Sequence, residues 1–216
     1  MRTASPALPD ALPLFPLRMV LLPGALLGLK IFEARYLDLV AQCMRTGQPF
    51  GVICLSQGSE VNSGVHAGAG EQAVELENVG TLAHIDEVDA EQPGILRLRC
   101  HGGQRFKRVA EPLRLAGGLW TSRVELLRDD PARAPGPAVA PTVAALAEAI
   151  KALHEQDQEP FAAPYRLDDA GWVANRWCEL LPLPLAARQK LMALDDPVIR
   201  LSLVDGYLRD KKVIVG

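Results

Sequence analysis

A segment with four prolines divides this sequence and limits what it can fold into. Residues 129–141 read Asp-Asp-Pro-Ala-Arg-Ala-Pro-Gly-Pro-Ala-Val-Ala-Pro and contain almost no large apolar side chain. Such a stretch cannot bury apolar surface, and its prolines stiffen it toward extended conformations. We therefore expect two parts, residues 1–128 and 142–216, joined by a proline-rich linker at 129–141.

The first part has the alternation of apolar and polar residues that is typical of half-buried strands. In Gly94–His101 the apolar residues at 96, 98 and 100 alternate with basic residues at 97, 99 and 101. His101–Gln104 contains two adjacent glycines and predicts a turn, with Arg105–Glu111 as the partner strand of a hairpin. The further strand candidates are Phe50–Leu55, Val79–Asp89 and Leu119–Leu127.

One helix interrupts these strands. Helical spacing of Tyr36, Leu37, Val40 and Met44 predicts a helix over Glu33–Arg45, and Gly47 is a suitable stop signal. Residues 58–72 hold four glycines and predict a mobile surface loop. Short strands separated by glycine turns indicate an antiparallel barrel or sandwich.

Opposite charges fall on strands that are expected to pair. No Lys or Arg occurs between Thr46 and Gln92, whereas acidic residues are frequent there. If Val79–Asp89 pairs with Gly94–His101 across a Pro93-Gly94 turn, Glu87 and Asp89 lie opposite Arg99 and Arg97. Residues 1–128 contain 13 basic and 13 acidic residues, so this part has no excess of positive charge.

The second part predicts helices throughout. Val143, Leu146, Ile150 and Leu153 form one apolar stripe, together with Ala147 and His154. Asp168 is expected to cap a second helix that carries Trp172 and Trp177. Pro184 and Pro197 suit first helical positions, and Asp196 suits the cap of a last helix bearing Val198, Leu201, Val204 and Leu208. The predicted fold class is therefore α+β, with a β-rich part followed by a helical bundle.

Composition and motif searches exclude several classes of protein. The longest uncharged apolar stretch near the start, Met19–Leu29, is eleven residues long, whereas a membrane span needs about 20. With no signal-peptide pattern either, we expect a cytoplasmic protein.

The four cysteines form no CxxC pair and are expected to be buried free thiols, and the four histidines have no metal-site spacing. No GxxxxGK[ST] or GxSxG motif occurs. We therefore expect no catalytic residues, no metal site and no cofactor.

Several ordered motifs resemble one known family. These are Leu14–Arg18 (LFPLR), Leu22–Gly24 (LPG), Leu29–Tyr36 (LKIFEARY), Gly80–Ile85, Ile95–Phe106 and Leu180–Leu183. They are similar to the N-terminal, substrate-binding domain of Lon proteases, and the similarity runs from about Leu12 to Leu208. The resemblance implies a PUA-like antiparallel β-barrel with one inserted helix, joined to a helical subdomain. It also implies a stand-alone, non-enzymatic member that lacks the ATPase and peptidase modules.

The resemblance implies a function in binding unfolded or damaged protein segments, as in protein quality control. The candidate polypeptide-binding loop is the apolar run Met19, Val20, Leu21, Leu22. The alternative interpretation is that this run caps one end of the barrel. Arg35 and Tyr36 of the LKIFEARY motif complete the candidate site. Phe32 and Phe106 are expected core residues, and Gly24 is expected to have positive φ. Unfolded polypeptides are the expected partners, and recruitment of an ATP-dependent protease or chaperone stays open.

An alternative hypothesis is nucleic-acid binding. Arg97, Arg99, Arg105, Lys107 and Arg108 fall within twelve residues on the predicted hairpin, and PUA-like barrels elsewhere contact RNA. The balanced charge of residues 1–128 favours a sheet with complementary strands over a nucleic-acid surface.

Overall fold

The chain forms two compact units that meet in sequence between Leu127 and Arg128. The computed structural model describes residues 9–57 and 74–214. The glycine-rich loop expected at residues 58–72 lies outside the described residues.

In residues 9–57 and 74–127, the first unit is an eight-stranded sheet with one helix. Its strands follow the order β2-β5-β4-β3-β1-β7-β6, and β8 pairs with β5. The elements are β1 (Leu12–Leu17), β2 (Leu26–Ile31), α1 (Ala34–Thr46), β3 (Phe50–Gln57), β4 (Glu75–Gln92), β5 (Ile95–Arg108), β6 (Leu113–Arg114), β7 (Trp120–Ser122) and β8 (Val124–Leu126).

The α+β class is confirmed, with two differences from the expected antiparallel barrel. In the described residues the strand pairings form an open path from β2 to β6. In addition, β1 and β3 pair in parallel, with Leu14 opposite Gly51. A parallel pair needs a crossover connection, and β2 with α1 provides it between β1 and β3.

The hairpin of β4 and β5 has the predicted turn and register. Gly94 takes a φ of 81° at the turn, a conformation that glycine adopts without steric cost. Glu87 lies opposite Arg99 and Asp89 lies opposite Arg97. The predicted pairing of opposite charges is therefore confirmed.

The turn predicted at His101–Gln104 is wrong, because β5 continues through it as one strand. Glycine is needed there for close approach and not for turning. A Cβ atom at Gly102 would lie 2.2 Å from the carbonyl oxygen of Leu22, and one at Gly103 would lie 2.6 Å from Nε2 of His84. Adjacent glycines inside a strand therefore mark a place where other groups reach the backbone.

Phe106 is the centre of the apolar core of the sheet. It is fully buried, and its ring occupies the space that a side chain at Gly51 or Gly80 would need. It packs with Leu12, Leu14, Ile53, Leu55, Leu76 and Leu82. The expectation that Phe106 is a core residue is confirmed.

Helix α1 follows the predicted bounds closely. It begins at Ala34 and ends at Thr46, and Gly47, whose φ is 67°, is its C-cap. Its buried face comprises Tyr36, Leu39, Val40 and Cys43. Met44, which the predicted apolar stripe included, is 58% exposed, because burial follows positions 36, 39, 40 and 43.

The second unit is helical, as predicted. A 3-10 turn at Pro137–Val139 precedes α2 (Ala140–His154), α3 (Ala170–Leu180), α4 (Leu185–Ala193) and α5 (Pro197–Asp210). The side chain of Asp196 accepts hydrogen bonds from the amides of Val198 and Ile199, as predicted for the cap of α5. The cap of α3 is Asp169 and not Asp168.

Part of the segment predicted as a linker contributes to the interior of this unit. Arg200 of α5 is 1% exposed, and its Nη1 lies 2.5 Å from Oδ2 of Asp130. The same guanidinium donates to Oδ1 of Asn175 at 3.2 Å and to the carbonyl of Leu191 at 2.9 Å. Because a buried guanidinium needs a counter-charge, Asp130 is a structural residue of the helical unit.

We predict that Asp130→Ala destabilises the helical unit, whereas Asp129→Ala does not. The first variant leaves Arg200 buried without its carboxylate partner. We expect it to lower the free energy of unfolding by about 3 kcal/mol. Asp129 is exposed, so its replacement is expected to change stability by less than about 0.5 kcal/mol. Urea unfolding followed by circular dichroism measures both. Equal unfolding midpoints for the two variants would contradict the assignment.

We also predict that Gly102→Ala destabilises the sheet by about 1–3 kcal/mol, because its Cβ would overlap the backbone of Leu22. Gly28→Ala in β2 is the matched control, since a Cβ there meets nothing within 4 Å. Thermal unfolding of both variants checks this difference. A Gly102→Ala protein as stable as the Gly28→Ala protein would show that the close approach is absent.

Candidate functional site

A groove of about 460 Å³ lies on the outer face of β2, β5 and β4. Two rows of paired residues cross it: Gly28 pairs with Arg99 opposite Glu87, and Lys30 pairs with Arg97 opposite Asp89. Side chains alternate between the faces of a strand, so Leu98 points into the core while Arg97 and Arg99 face outward. We call this surface, lined by Gly28, Leu29, Lys30, Glu87, Asp89, Arg97, Leu98 and Arg99, the charged groove.

The charged groove is basic toward β2 and acidic toward β4. Nη1 of Arg99 lies 3.3 Å from Oε2 of Glu87, and the two side chains are 75% and 62% exposed. Exposed pairs of this kind contribute about 0–1 kcal/mol each, so they are weak enough to rearrange around a ligand. The geometry suits contact with a polar backbone or with side chains of either charge.

Two stacked histidines lie beside the charged groove. The rings of His84 and His101 have centroids 5.1 Å apart, and Nδ1 of His101 lies 2.7 Å from Oδ1 of Asp86. Burial lowers the pKa of His84, and the nearby His101 lowers it further, while Asp86 acts in the opposite direction. The neutral form of His84 is therefore the form that the folded protein favours.

Exposed apolar side chains flank β2. Leu26 is 49% exposed and Phe32 is 56% exposed, so the expectation that Phe32 is a core residue is wrong. The sequence contained a signal for this result. Ile31 and Phe32 are adjacent in an extended segment and point to opposite faces, so only one of them can enter the core, and Ile31 does.

The candidate polypeptide-binding loop is mostly buried. Val20, Leu21 and Leu22 are 4%, 2% and 0% exposed, and Met19 is partly exposed. The hydroxyl of Thr81 donates to the carbonyl of Leu21 at 2.7 Å. The expectation of exposed apolar side chains is therefore wrong for Val20, Leu21 and Leu22, because this loop packs against the sheet.

Arg35 and Tyr36 also serve packing. The Tyr36 ring stacks on Phe15 at a centroid distance of 3.9 Å. Nη1 of Arg35 donates to the carbonyl of Gly118 at 2.8 Å, and Nη2 lies 2.8 Å from Oε2 of Glu33. The two residues thus hold α1 in place and present little surface to a ligand.

The five basic residues of the nucleic-acid hypothesis do not share one exposed surface. Arg97 and Arg99 lie in the charged groove, opposite carboxylates. Arg105 is 3% exposed. Arg108 donates to the carbonyls of Leu76 and Glu77 and to Oδ1 of Asn78. Lys107 is exposed on β5.

The thiols are unsuited to nucleophilic chemistry. All four cysteines are free and buried, as expected. Burial raises the pKa of Cys43, Cys54 and Cys178 to about 11 and that of Cys100 to about 12. Within residues 9–57 and 74–214, His, Cys, Asp and Glu form no group of three or more that could hold a metal ion. No helix in the same residues is long and apolar enough to cross a membrane.

Comparisons with known proteins point to one family. The model of the ATP-dependent protease La (LON) substrate-binding domain matches residues 11–210. A crystal structure of a Lon N-terminal domain protein from Xanthomonas campestris is 34% identical with a TM-score of 0.70, and the match covers 90% of this chain and 96% of that one. The N-terminal domain of a Mycobacterium avium complex Lon protease, at 17% identity, has a similar fold with a TM-score of 0.55 over 93% of this chain and 98% of that one. No curated protein sequence gives a significant match.

We predict that His84 titrates below the ordinary histidine pKa of about 6.5 in the folded protein. The unfolded chain then binds more protons than the folded chain as the pH falls below about 6.5. The stability due to the neutral ring is therefore lost as the pH falls through the folded pKa. A proton NMR titration of His84, with the chain in concentrated urea as the control, measures the shift. A folded pKa at or above the unfolded value would contradict it.

Proposed function

The chain belongs to the family of Lon protease substrate-binding domains, and from this premise we propose that it binds unfolded or extended polypeptide segments without cleaving them. The match of the family model to residues 11–210 carries the proposal, because it spans nearly all of both units. We propose protein quality control in the cytoplasm as its setting. Its partners would be unfolded proteins and, downstream, an ATP-dependent protease or chaperone.

The surface of the sheet has groups that can contact the features shared by all unfolded segments. Such segments expose their backbone hydrogen-bonding groups and apolar side chains that a folded protein would bury. Leu26 and Phe32 supply exposed apolar contacts, and the charged groove between the strands supplies polar ones. This combination supports recognition that depends little on sequence.

The chemistry of the described side chains supports binding without catalysis. A thiol whose pKa lies near 11 or 12 is almost fully protonated at neutral pH and is a poor nucleophile. His101 is engaged by Asp86, and its ring stacks on His84. We assign these groups to the stability of the sheet.

We predict that the purified chain binds unfolded but not native α-lactalbumin. Reduced, carboxymethylated and fluorescently labelled α-lactalbumin should raise its fluorescence anisotropy when the chain is added, because it exposes backbone and apolar groups. Native labelled α-lactalbumin is the control. Gel electrophoresis after incubation, with and without ATP, should show intact α-lactalbumin. Equal binding of both forms, no binding, or cleavage would each contradict the proposal.

A pair of variants tests the surface in the same assay. Phe32→Ser removes an exposed aromatic contact and is expected to weaken binding about tenfold. Leu113→Ser in β6, at the opposite end of the sheet path, replaces a residue that is 67% exposed and is the matched control. Equal affinities of the two variants would assign the binding surface to another part of the chain.

A further inference from the structure

We propose that β2 accepts an extended polypeptide as an additional strand, so that the backbone of the bound segment is the main element recognised. This inference rests on the proposed function and specifies its binding mode. The bound segment would lie along the outer edge of β2 and extend the sheet by one strand.

The position of β2 in the sheet favours strand addition. It is the terminal strand of the sheet path, and in the part of the chain that the structure describes it pairs with β5 alone. Its register with β5 is continuous from Leu26 to Ile31, without a bulge or a proline. A terminal strand of regular register is a template for the addition of another strand.

The backbone groups of β2 point in directions that suit an added strand. The amide of Gly102 donates to the carbonyl of Ala25 at 2.8 Å, which places Ala25 at a hydrogen-bonded position of the β2–β5 ladder. Such positions alternate along an antiparallel pair, so Leu27 and Leu29 also direct their backbone groups toward β5. Leu26 and Gly28 consequently direct theirs toward the outer edge.

The edges at β4 and β6 differ from the edge at β2. The ladder between β3 and β4 ends at Ala83, and beyond it β4 carries irregular register and the carboxylates of Asp86, Glu87 and Asp89. Strand β6, at the far end of the path, has two residues. Charges, bulges and short length are devices that prevent edge-to-edge pairing, and β2 has one lysine in six residues.

The side chains along β2 determine which segments fit. Leu26 and Phe32 are exposed at its two ends, and a Cβ at Gly28 would meet nothing within 4 Å, so a bound side chain has room opposite it. Lys30 on β2, with Arg97 and Arg99 on β5, makes the side of the charged groove next to this edge basic, whereas Glu87 and Asp89 lie farther from the edge, on β4. The favoured occupant is an extended segment with apolar or acidic side chains at alternate positions.

Gly28→Pro tests the inference, with Gly28→Ala as its matched control. Proline removes the outward amide hydrogen of residue 28, and edge strands tolerate it where that hydrogen faces outward. Alanine retains the hydrogen. With unfolded α-lactalbumin as the probe, we expect Gly28→Pro to bind about tenfold more weakly than Gly28→Ala, since a backbone bond is lost and the proline ring obstructs the edge.

Amide hydrogen exchange of the unmodified chain gives a second measurement that does not depend on a variant folding. We expect the amides of Leu26 and Gly28 to exchange at least about tenfold more slowly at saturating unfolded α-lactalbumin, while the amide of Leu113 in β6 is unchanged. Binding without this protection, or equal affinities of the two folded Gly28 variants, would overturn strand addition and leave polypeptide binding intact. Absence of any binding by the unmodified chain would overturn both proposals.

Discussion

The sheet unit depends on the close approach of two backbone segments at Gly102. The amide of Gly102 donates to the carbonyl of Ala25, and the carbonyl of Gly102 accepts from the amide of Gly24 at 2.7 Å. The carbonyl of Leu22 occupies the position that any side chain at residue 102 would need. This contact closes the loop before β2 onto β5, buries its apolar side chains, and sets β2 in register as the terminal strand.

Under the proposed function, polypeptide contacts the strand that follows the apolar loop and not the loop itself. A buried loop stabilises the fold through the hydrophobic effect and offers little to a ligand. The outward face of β2 instead combines Leu26, Phe32 and the bare backbone of Gly28. A surface of this composition favours binding through properties that all unfolded segments share, which agrees with the family to which the chain belongs.

The charge ladder between β4 and β5 gives the same surface its electrostatic character. Because Glu87 and Asp89 stand opposite Arg99 and Arg97, two carboxylates balance two guanidinium groups within this hairpin. The same carboxylates protect the outer edge of β4 from pairing. Glu87 and Asp89 thereby reduce the attraction of the sheet for nucleic acid. They also make the edge of β4 less suited to strand addition than the edge of β2.

Local pattern in the sequence was sufficient to predict several elements and pairings. The α+β class, the cap at Asp196, the turn at Gly94 and the opposition of Glu87 to Arg99 all follow from spacing and turn chemistry. The exposure of individual apolar residues instead depends on the tertiary fold. Leu22 and Phe32 are both large apolar residues in family motifs, yet one is buried and the other is 56% exposed. Burial depends on contacts between distant segments, such as Leu22 with Gly102, and no local pattern encodes them.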